Sequence, residues 1–217
     1  MEEISIVIPA LNEETRLPML LQDIQEQTYR PCEVIVVDGG SNDRTVEVAR
    51  AAGVLVVEGG GHPGVSRDLG VAVATGSWLL FLDADVELRP STLERLMEQV
   101  EFRNLDTAST WFTANTRDIP VRICHVLTAI YFYIGQKVGI YRGIGGCIIV
   151  KHTMHKELRG FNSSLLVGED IEYIMRAARI GRYAFLKEPK ISVSTRRFER
   201  IGWWGLALSW IRVELAH

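Results

Sequence analysis

Trp78-Leu79-Leu80-Phe81-Leu82-Asp83-Ala84-Asp85 is the stretch on which the reading of this 217-residue chain turns. Five consecutive apolar residues without polar alternation suit a strand buried on both faces, and such strands belong to parallel sheets covered by helices. Three other runs share this character. Ile4-Ser5-Ile6-Val7-Ile8 is β-branched and closed by Pro9, Val34-Ile35-Val36-Val37 is stopped by Asp38-Gly39-Gly40, and Val54-Leu55-Val56-Val57 precedes a glycine cluster. Between them lie helical patterns. Thr15 can cap a helix whose apolar face is Leu17, Leu20, Leu21 and Ile24, with Pro18 tolerated in the first turn, and two more helices are predicted over 45–52 and 65–74. The alternation predicts an α/β fold with a mostly parallel sheet and helices on both faces. Ligands of such sheets bind at the carboxyl ends of the strands, where Pro9, Asp38 and Asp83 fall.

The remainder is less regular. The spacing predicts helices over 90–101, 120–137 and 169–180, and a strand over 108–114. Glycine turns leading into a strand are predicted over 143–150, and a short strand over 183–186 that Pro189 ends. From Glu199 the chain reads as an apolar helix. With no repeat or linker, one domain is expected over 1–198, in halves of 1–110 and 111–198, with residues 199–217 appended.

Those halves differ in charge. Residues 1–110 hold 8 Arg, no Lys and 19 acids, a net of −11, whereas 111–217 hold 16 basic residues and 8 acids, a net of +8. Such asymmetry marks charged ligands. Cys32, Cys124 and Cys147 are widely spaced and form no CxxC pair, so a disulfide framework and a zinc ribbon are not indicated. Met1-Glu2-Glu3 has no basic leader, and the most apolar segment, 123–134, is too short to span a bilayer and contains His125 and Thr128. A cytoplasmic protein is expected, with the inner membrane face as a further option.

Asp83 and Asp85, one residue apart past a buried strand, are hard oxygen donors suited to Mg²⁺ or Mn²⁺, with Glu87 as a third candidate. An acidic turn capping the next helix is the competing explanation. Gly59-Gly60-Gly61-His62-Pro63-Gly64 spells GxGxxG, with Asp83 19 residues further on, so a nicotinamide-dependent oxidoreductase is an alternative. That motif follows the third strand rather than the first, and it gives Asp38 and Asp85 no role. A nucleotidyltransferase is another alternative, but it normally wants a lysine-bearing phosphate loop and residues 1–136 contain no Lys. His152 and His155 have helical spacing but no third zinc ligand, and read as surface histidines.

Taken in order, Pro9-Ala10-Leu11-Asn12-Glu13, the segment from Val36 to Asp43, Arg67, Asp83-Ala84-Asp85, Gly160-Phe161-Asn162 and Gly168-Glu169-Asp170 resemble the family 2 glycosyltransferases. The resemblance extends to Arg196-Arg197-Phe198 and Gly202-Trp203-Trp204, and is similar to the dolichol-phosphate mannose synthase branch. It implies the GT-A fold, with 1–110 binding nucleotide and metal and 111–198 facing the acceptor. It further implies that Pro9, Glu13 and Asp38 line a nucleoside pocket and Arg67 sits beside base or diphosphate. Asp83 and Asp85 would hold nucleotide and metal, and Asp170 would be the catalytic base. Leu11, Gly39 and Asp68 depart from the family's common residues, which leaves the nucleobase open.

Asp170 also has a physical argument. A general base needs a carboxylate facing the sugar from the side opposite the leaving diphosphate, and an acid from the back half suits that placement. Glu169, its neighbour, is the second candidate, and both would also serve simply as acids at a helix N-terminus. Arg196 and Arg197 could clamp a diphosphate or an acidic acceptor. Trp203, Trp204 and Trp210 in the last segment, flanked by Arg200 and Arg212, fit burial, a partner or a membrane interface. The expected activity is inverting, metal-dependent sugar transfer from a nucleotide-diphosphate sugar. The acceptor is open, with a polyprenyl phosphate as one option. Nucleic acid is not an expected partner.

Overall fold

The computed structural model describes residues 2–165 and 167–196. Its first part alternates strand and helix: β1 (Ile4–Ala10), α1 (Leu17–Gln25), β2 (Glu33–Asp38), α2 (Thr45–Ala51), β3 (Leu55–Glu58), α3 (Pro63–Val71) and β4 (Trp78–Leu82). The second part runs β5 (Val86–Glu87), α4 (Thr92–Phe102), β6 (Thr107–Ala114), α5 (Ile119–Gly135), β7 (Cys147–Lys151), α6 (His152–Leu158), α7 (Glu169–Ile180) and β8 (Tyr183–Val193). All eight strands form one sheet in the order β3-β2-β1-β4-β7-β6-β8-β5.

The first four strands are parallel, with β1 paired to β2 and β4, and β2 to β3. Ala10 stands opposite Asp38, and Asp38 opposite Glu58, so these strands end at one level. β7 then joins β4 antiparallel and carries the sheet into its second half, where only β6 and β8 are parallel.

Alternation along the strands divides the core into two layers. Ile4, Ile6, Ile8, Leu80 and Leu82 pack with α1 and α4 on one face, while Val7, Val37, Leu79 and Phe81 pack with Val71, Tyr173 and Ile174 on the other. On the latter face α3 lies so close to β1 that a Cβ on Gly70 would stand 2.4 Å from Val7 Cγ1.

Three expectations change. β8 does not stop at Pro189: the register slips between Thr110 and Trp111, and pairing resumes at Lys190 and continues to Val193. Looping out residues 187–189 lets a strand pass a residue that cannot donate a ladder hydrogen bond, and the Thr110 hydroxyl donates to the freed Pro189 carbonyl. The segment after Lys151 is helical as α6, and the two residues of β5 pair with β8. The helix expected over 120–137 ends at Gly135 in a 3₁₀ turn, Gln136–Val138, closed by Gly139 at φ 83°. The segment 199–217 and Arg197 lie outside the described residues.

Candidate active site

The loops after β1 and β2 are laced into one cradle. Asn12, in the left-handed conformation at φ 56°, accepts from the Asn42 N–H at 2.8 Å, and its own N–H donates to Ser41 Oγ at 2.8 Å. The Glu13 N–H donates to Thr45 Oγ1 at 2.8 Å, and the Glu14 N–H to Asp43 at 3.1 Å. Asp38 is buried at the end of β2. Its Oδ2 accepts from the Gly40 and Ser41 N–H groups at 3.0 Å each, while its Oδ1 is buried with no hydrogen-bond partner among the described residues. Glu13 is similar: Arg196 donates to its Oε1, and its Oε2 is buried with no hydrogen-bond partner among the described residues. Buried oxygens of this kind ordinarily have partners, so two of them at the strand ends mark a place that receives donors. Pro9 lies on β1 opposite Val37 beside this cradle.

Arg67 lies where α3, the end of β4 and the start of α7 meet. It is 2% exposed, on α3 beneath the strand ends rather than in an open pocket. Its Nη2 donates to Asp83 Oδ1 and its Nη1 to Glu169 Oε1, both at 2.9 Å. Burial lowers its pKa, but the charges of Asp83, Glu169 and Asp170 outweigh that and raise it, keeping the guanidinium charged. Phe161 lies 5.3 Å from the guanidinium and stacks on Tyr173 at 4.1 Å, so Gly160-Phe161-Asn162 supplies the wall behind Arg67.

Asp170 arrives from the start of α7. Its Oδ2 accepts from the Gly145 N–H at 2.6 Å and its Oδ1 from the Ile171 N–H at 2.9 Å. Desolvation and the Glu169 charge raise its pKa, with Arg67 and the two amides pulling the other way. A Cβ on Gly145 would stand 2.7 Å from Arg67 Nη2 and 3.1 Å from Asp170 Oδ2, so this glycine lets both groups close on the backbone. Glu169 is engaged by Arg67, whereas Asp170 is held by backbone amides, so the two neighbouring acids differ in their partners.

Asp83 and Asp85 are half-buried, alternating with buried Ala84 and Val86. Asp85 lies near enough to Arg196 to raise the latter's pKa, though the Glu13 hydrogen bond is the larger cause. Glu87 does not complete a set of three with them. It sits on β5, which is bound to β8, and its Oε1 accepts from the Asn115 amide. Among the described residues no three His, Cys, Asp or Glu side chains converge as a ligand cage. Two partly exposed carboxylates still fit Mg²⁺ or Mn²⁺, which commonly take one or two protein carboxylates and complete their shell with water and phosphate oxygens.

The histidines diverge. His152 Nδ1 lies 2.9 Å from the Gly76 carbonyl, and His155 Nδ1 lies 2.9 Å from Tyr173 Oη. His155 is buried rather than at the surface, with Nε2 3.5 Å from Asp68 Oδ1. Asp68 itself accepts the Phe161 N–H at 3.1 Å. Nothing in the sequence flagged this network, because its members lie on three separate segments. The glycine loop also has a local purpose. Gly59, Gly60 and Gly61 adopt φ of 133°, 109° and 67° after the edge strand β3, and His62 Nδ1 accepts from the Gly64 N–H to cap α3. A dinucleotide fingerprint belongs after the first, central strand, whereas this loop follows β3 at the sheet edge, which disfavours the oxidoreductase reading.

Comparison with known proteins agrees with the sheet. The profile of glycosyl transferase family 2 matches residues 5–158. The chain is 27% identical over 188 residues to an uncharacterised glycosyltransferase of Haemophilus influenzae, covering 80% of this chain and 61% of that protein. It is 42% identical over 95 residues to the 4,4'-diaponeurosporenoate glycosyltransferase of Staphylococcus haemolyticus, covering 40% of this chain and 25% of that one. A PGL/p-HBAD biosynthesis glycosyltransferase of Mycobacterium bovis is 40% identical over 100 residues, 42% of this chain and 39% of its own. The chain thus spans between a quarter and about three fifths of these relatives. Among solved structures, S. aureus TarS superposes with a TM-score of 0.71 at 21% identity, over 88% of this chain and 60% of that one. Glucosyl-3-phosphoglycerate synthase from Mycobacterium tuberculosis, solved with Mn²⁺, UDP and glucosyl-3-phosphoglycerate, superposes with a TM-score of 0.70 at 20% identity, over 94% and 76%. The fold is therefore that of the GT-A enzymes, and the chain belongs to glycosyl transferase family 2.

Proposed function

We propose that this chain transfers a sugar from a nucleoside-diphosphate sugar to an acceptor hydroxyl, with inversion at the anomeric carbon. The observation that carries the reading is the meeting of Asp83, from the end of β4, and Asp170, from the start of α7, around the single guanidinium of Arg67. One acid faces the donor side and the other is free to act as a base, because Glu169 takes the second arm of the arginine.

The cradle of residues 11–16 and 38–45 receives the nucleoside, with Asp38 Oδ1 accepting from base or ribose. Asp83 and Asp85 lie where the diphosphate would follow, and they are the residues that would hold Mg²⁺ or Mn²⁺. A bound divalent ion supplies Lewis-acid stabilisation of a departing diphosphate. UDP with Mn²⁺ in the mycobacterial synthase, and GDP-mannose with Mn²⁺ in a mannosyltransferase from Pyrobaculum calidifontis, support this choice of ligand class. Asp170 takes the acceptor's proton as its oxygen bonds to the anomeric carbon and the bond to the diphosphate breaks. The raised pKa favours that role, since a base must hold the proton it accepts. Arg196, paired with Glu13 at the rim, offers a guanidinium to phosphate or to an acidic acceptor, and Arg197 is assigned with it from the sequence alone.

The names of two relatives refer to 4,4'-diaponeurosporenoate and to PGL/p-HBAD biosynthesis, which supports an apolar or lipid-linked acceptor, a polyprenyl phosphate included. No helix among the described residues is long and apolar enough to cross a membrane. We place the enzyme in the cytoplasm, working at the inner membrane face, with residues 199–217 as a further contact.

A thermal-shift screen of UDP, GDP, CMP and NAD, each with and without Mn²⁺, tests the donor class. Stabilisation by a nucleoside diphosphate that depends on the metal is the expected result. Stabilisation by NAD alone would overturn the reading.

A further inference from the structure

α5 is apolar on two faces, and only one is used by the core. Val121, Ala129 and Phe132 are buried, with the Phe132 ring 6.0 Å from Phe112 and 5.6 Å from Phe185. The other face presents Ile119, Ile123, Val126, Leu127, Ile130 and Ile134, at spacings of 4, 7, 8, 11 and 15 residues from the first, all exposed and covered by no described residue. Leu127 is 60% exposed, and Val138, at 72%, extends the stripe beyond the helix end. Seventeen helical residues run about 25 Å, so this is a continuous apolar surface and not a scatter of single side chains.

Its ends are cationic. Arg117 and Arg122 are exposed at the start of α5, and at its finish the Lys137 and Lys187 amines lie over the Tyr133 ring at 5.2 and 4.4 Å. No acid occurs from Ile119 to Gly135, and the preceding Asp118 is engaged in capping the Val121 N–H. We propose that this face of α5 rests on an anionic lipid bilayer, the helix parallel to the surface, with the apolar stripe entering the acyl boundary and the cations at the phosphates. Helices with this division lie in the interface plane, and Tyr131, 42% exposed, suits the headgroup level. A second copy is a poorer occupant. A two-fold contact through α5 would set Arg117 and Arg122 against themselves or against Lys137 and Lys187, cation to cation in either case. The inference deepens the lipid-linked acceptor reading, since docking here would bring the enzyme to such an acceptor. Its test needs neither donor nor acceptor.

The whole chain is to be sedimented with phosphatidylcholine vesicles, with and without phosphatidylglycerol, in low and high salt. Partition onto the anionic vesicles is expected, reduced by salt. It should fall about tenfold or more in Ile123→Ser/Leu127→Ser/Ile134→Ser, and several-fold, on anionic vesicles only, in Lys137→Glu/Lys187→Glu. These positions are exposed, and circular dichroism together with the unchanged nucleotide thermal shift checks that each variant is folded. A wild-type chain that stays in the supernatant overturns the proposal. So does a triple variant that partitions like wild type, which would move binding to residues 199–217. A triple variant that instead turns a dimer into a monomer by light scattering, with partition unchanged, assigns the face to a second copy. Loss of the nucleotide response in the wild type would remove the transferase reading while leaving the sedimentation result standing.

Discussion

In the first half of the sheet every strand runs in one direction, and each of β1, β2 and β4 hands a loop with a polar group to the site. In the second half the strands are of mixed direction, antiparallel except for β6 and β8, and the site receives the start of α7 and the glycine turn before β7 instead. The first arrangement is generic to ligand-binding parallel sheets, where position along the chain nearly dictates position in space. The second brings in groups whose places depend on packing. The difference teaches that the proposed binding residues belong to a scaffold and the candidate catalytic residue to a docking of one part on another.

The sharpest way to test that division is Asp170→Asn. It should reduce transfer by about a thousandfold while nucleotide affinity, which the proposal assigns to the first half, stays within a few-fold by calorimetry. Equal losses of both would break the comparison. Next is Arg67→Met, which leaves the buried Glu169 carboxylate without its cation. A loss of about 3 kcal/mol is expected in urea unfolding, the low end for a broken buried pair because Asp83 reaches water. Adding Glu169→Gln should return part of that loss, and failure to do so would deny the pairing. Gly70→Ala probes the scaffold alone. Overpacking against Val7 should cost about 2 kcal/mol with no change in kcat for the folded fraction.

The smallest effect concerns pH. Burial raises the Asp68 pKa to about 6, so the folded protein binds this proton more readily than the unfolded chain, and stability falls as pH rises from about 4 to about 6. Burial first, with His152 and Arg176 adding to it, pushes His155 down to about 4, so stability rises across nearly the same window. The two oppose each other. Asp68→Asn should therefore show stability climbing with pH through this window, and His155→Gln should show it falling, both read as shifts in urea midpoint. Identical slopes in the two variants would disprove the opposition.

Much of the first half was legible because its strands are uninterrupted apolar runs ended by Pro9, Asp38 and Asp83, and local patterns of this kind need no partner to be read. The back half hid what depends on distant contacts. Pro189 looked like a stop, and only the neighbouring β6 shows that the strand resumes. α6 leaves no local signal, since it follows β7 directly from Lys151 to His152 with no turn residue to mark its start. The helix that carries Arg67 is readable locally, but its burial is not, because its partners lie 16 and 102 residues away in sequence. Glu87 looked like a third ligand by proximity in sequence, while pairing with β8 turned it to Asn115.

The Arg67–Glu169 pair has a consequence for anyone recombining this enzyme with its relatives. A crossover between α3 and α7 exchanges one member of the pair without the other, and it does so wherever in those hundred residues the junction is set. Chimeras built to graft a new second half should therefore carry Arg67 and Glu169 from the same parent, or restore the match by a second substitution. The unit of exchange is set by that charge pair and not by the midpoint of the sheet.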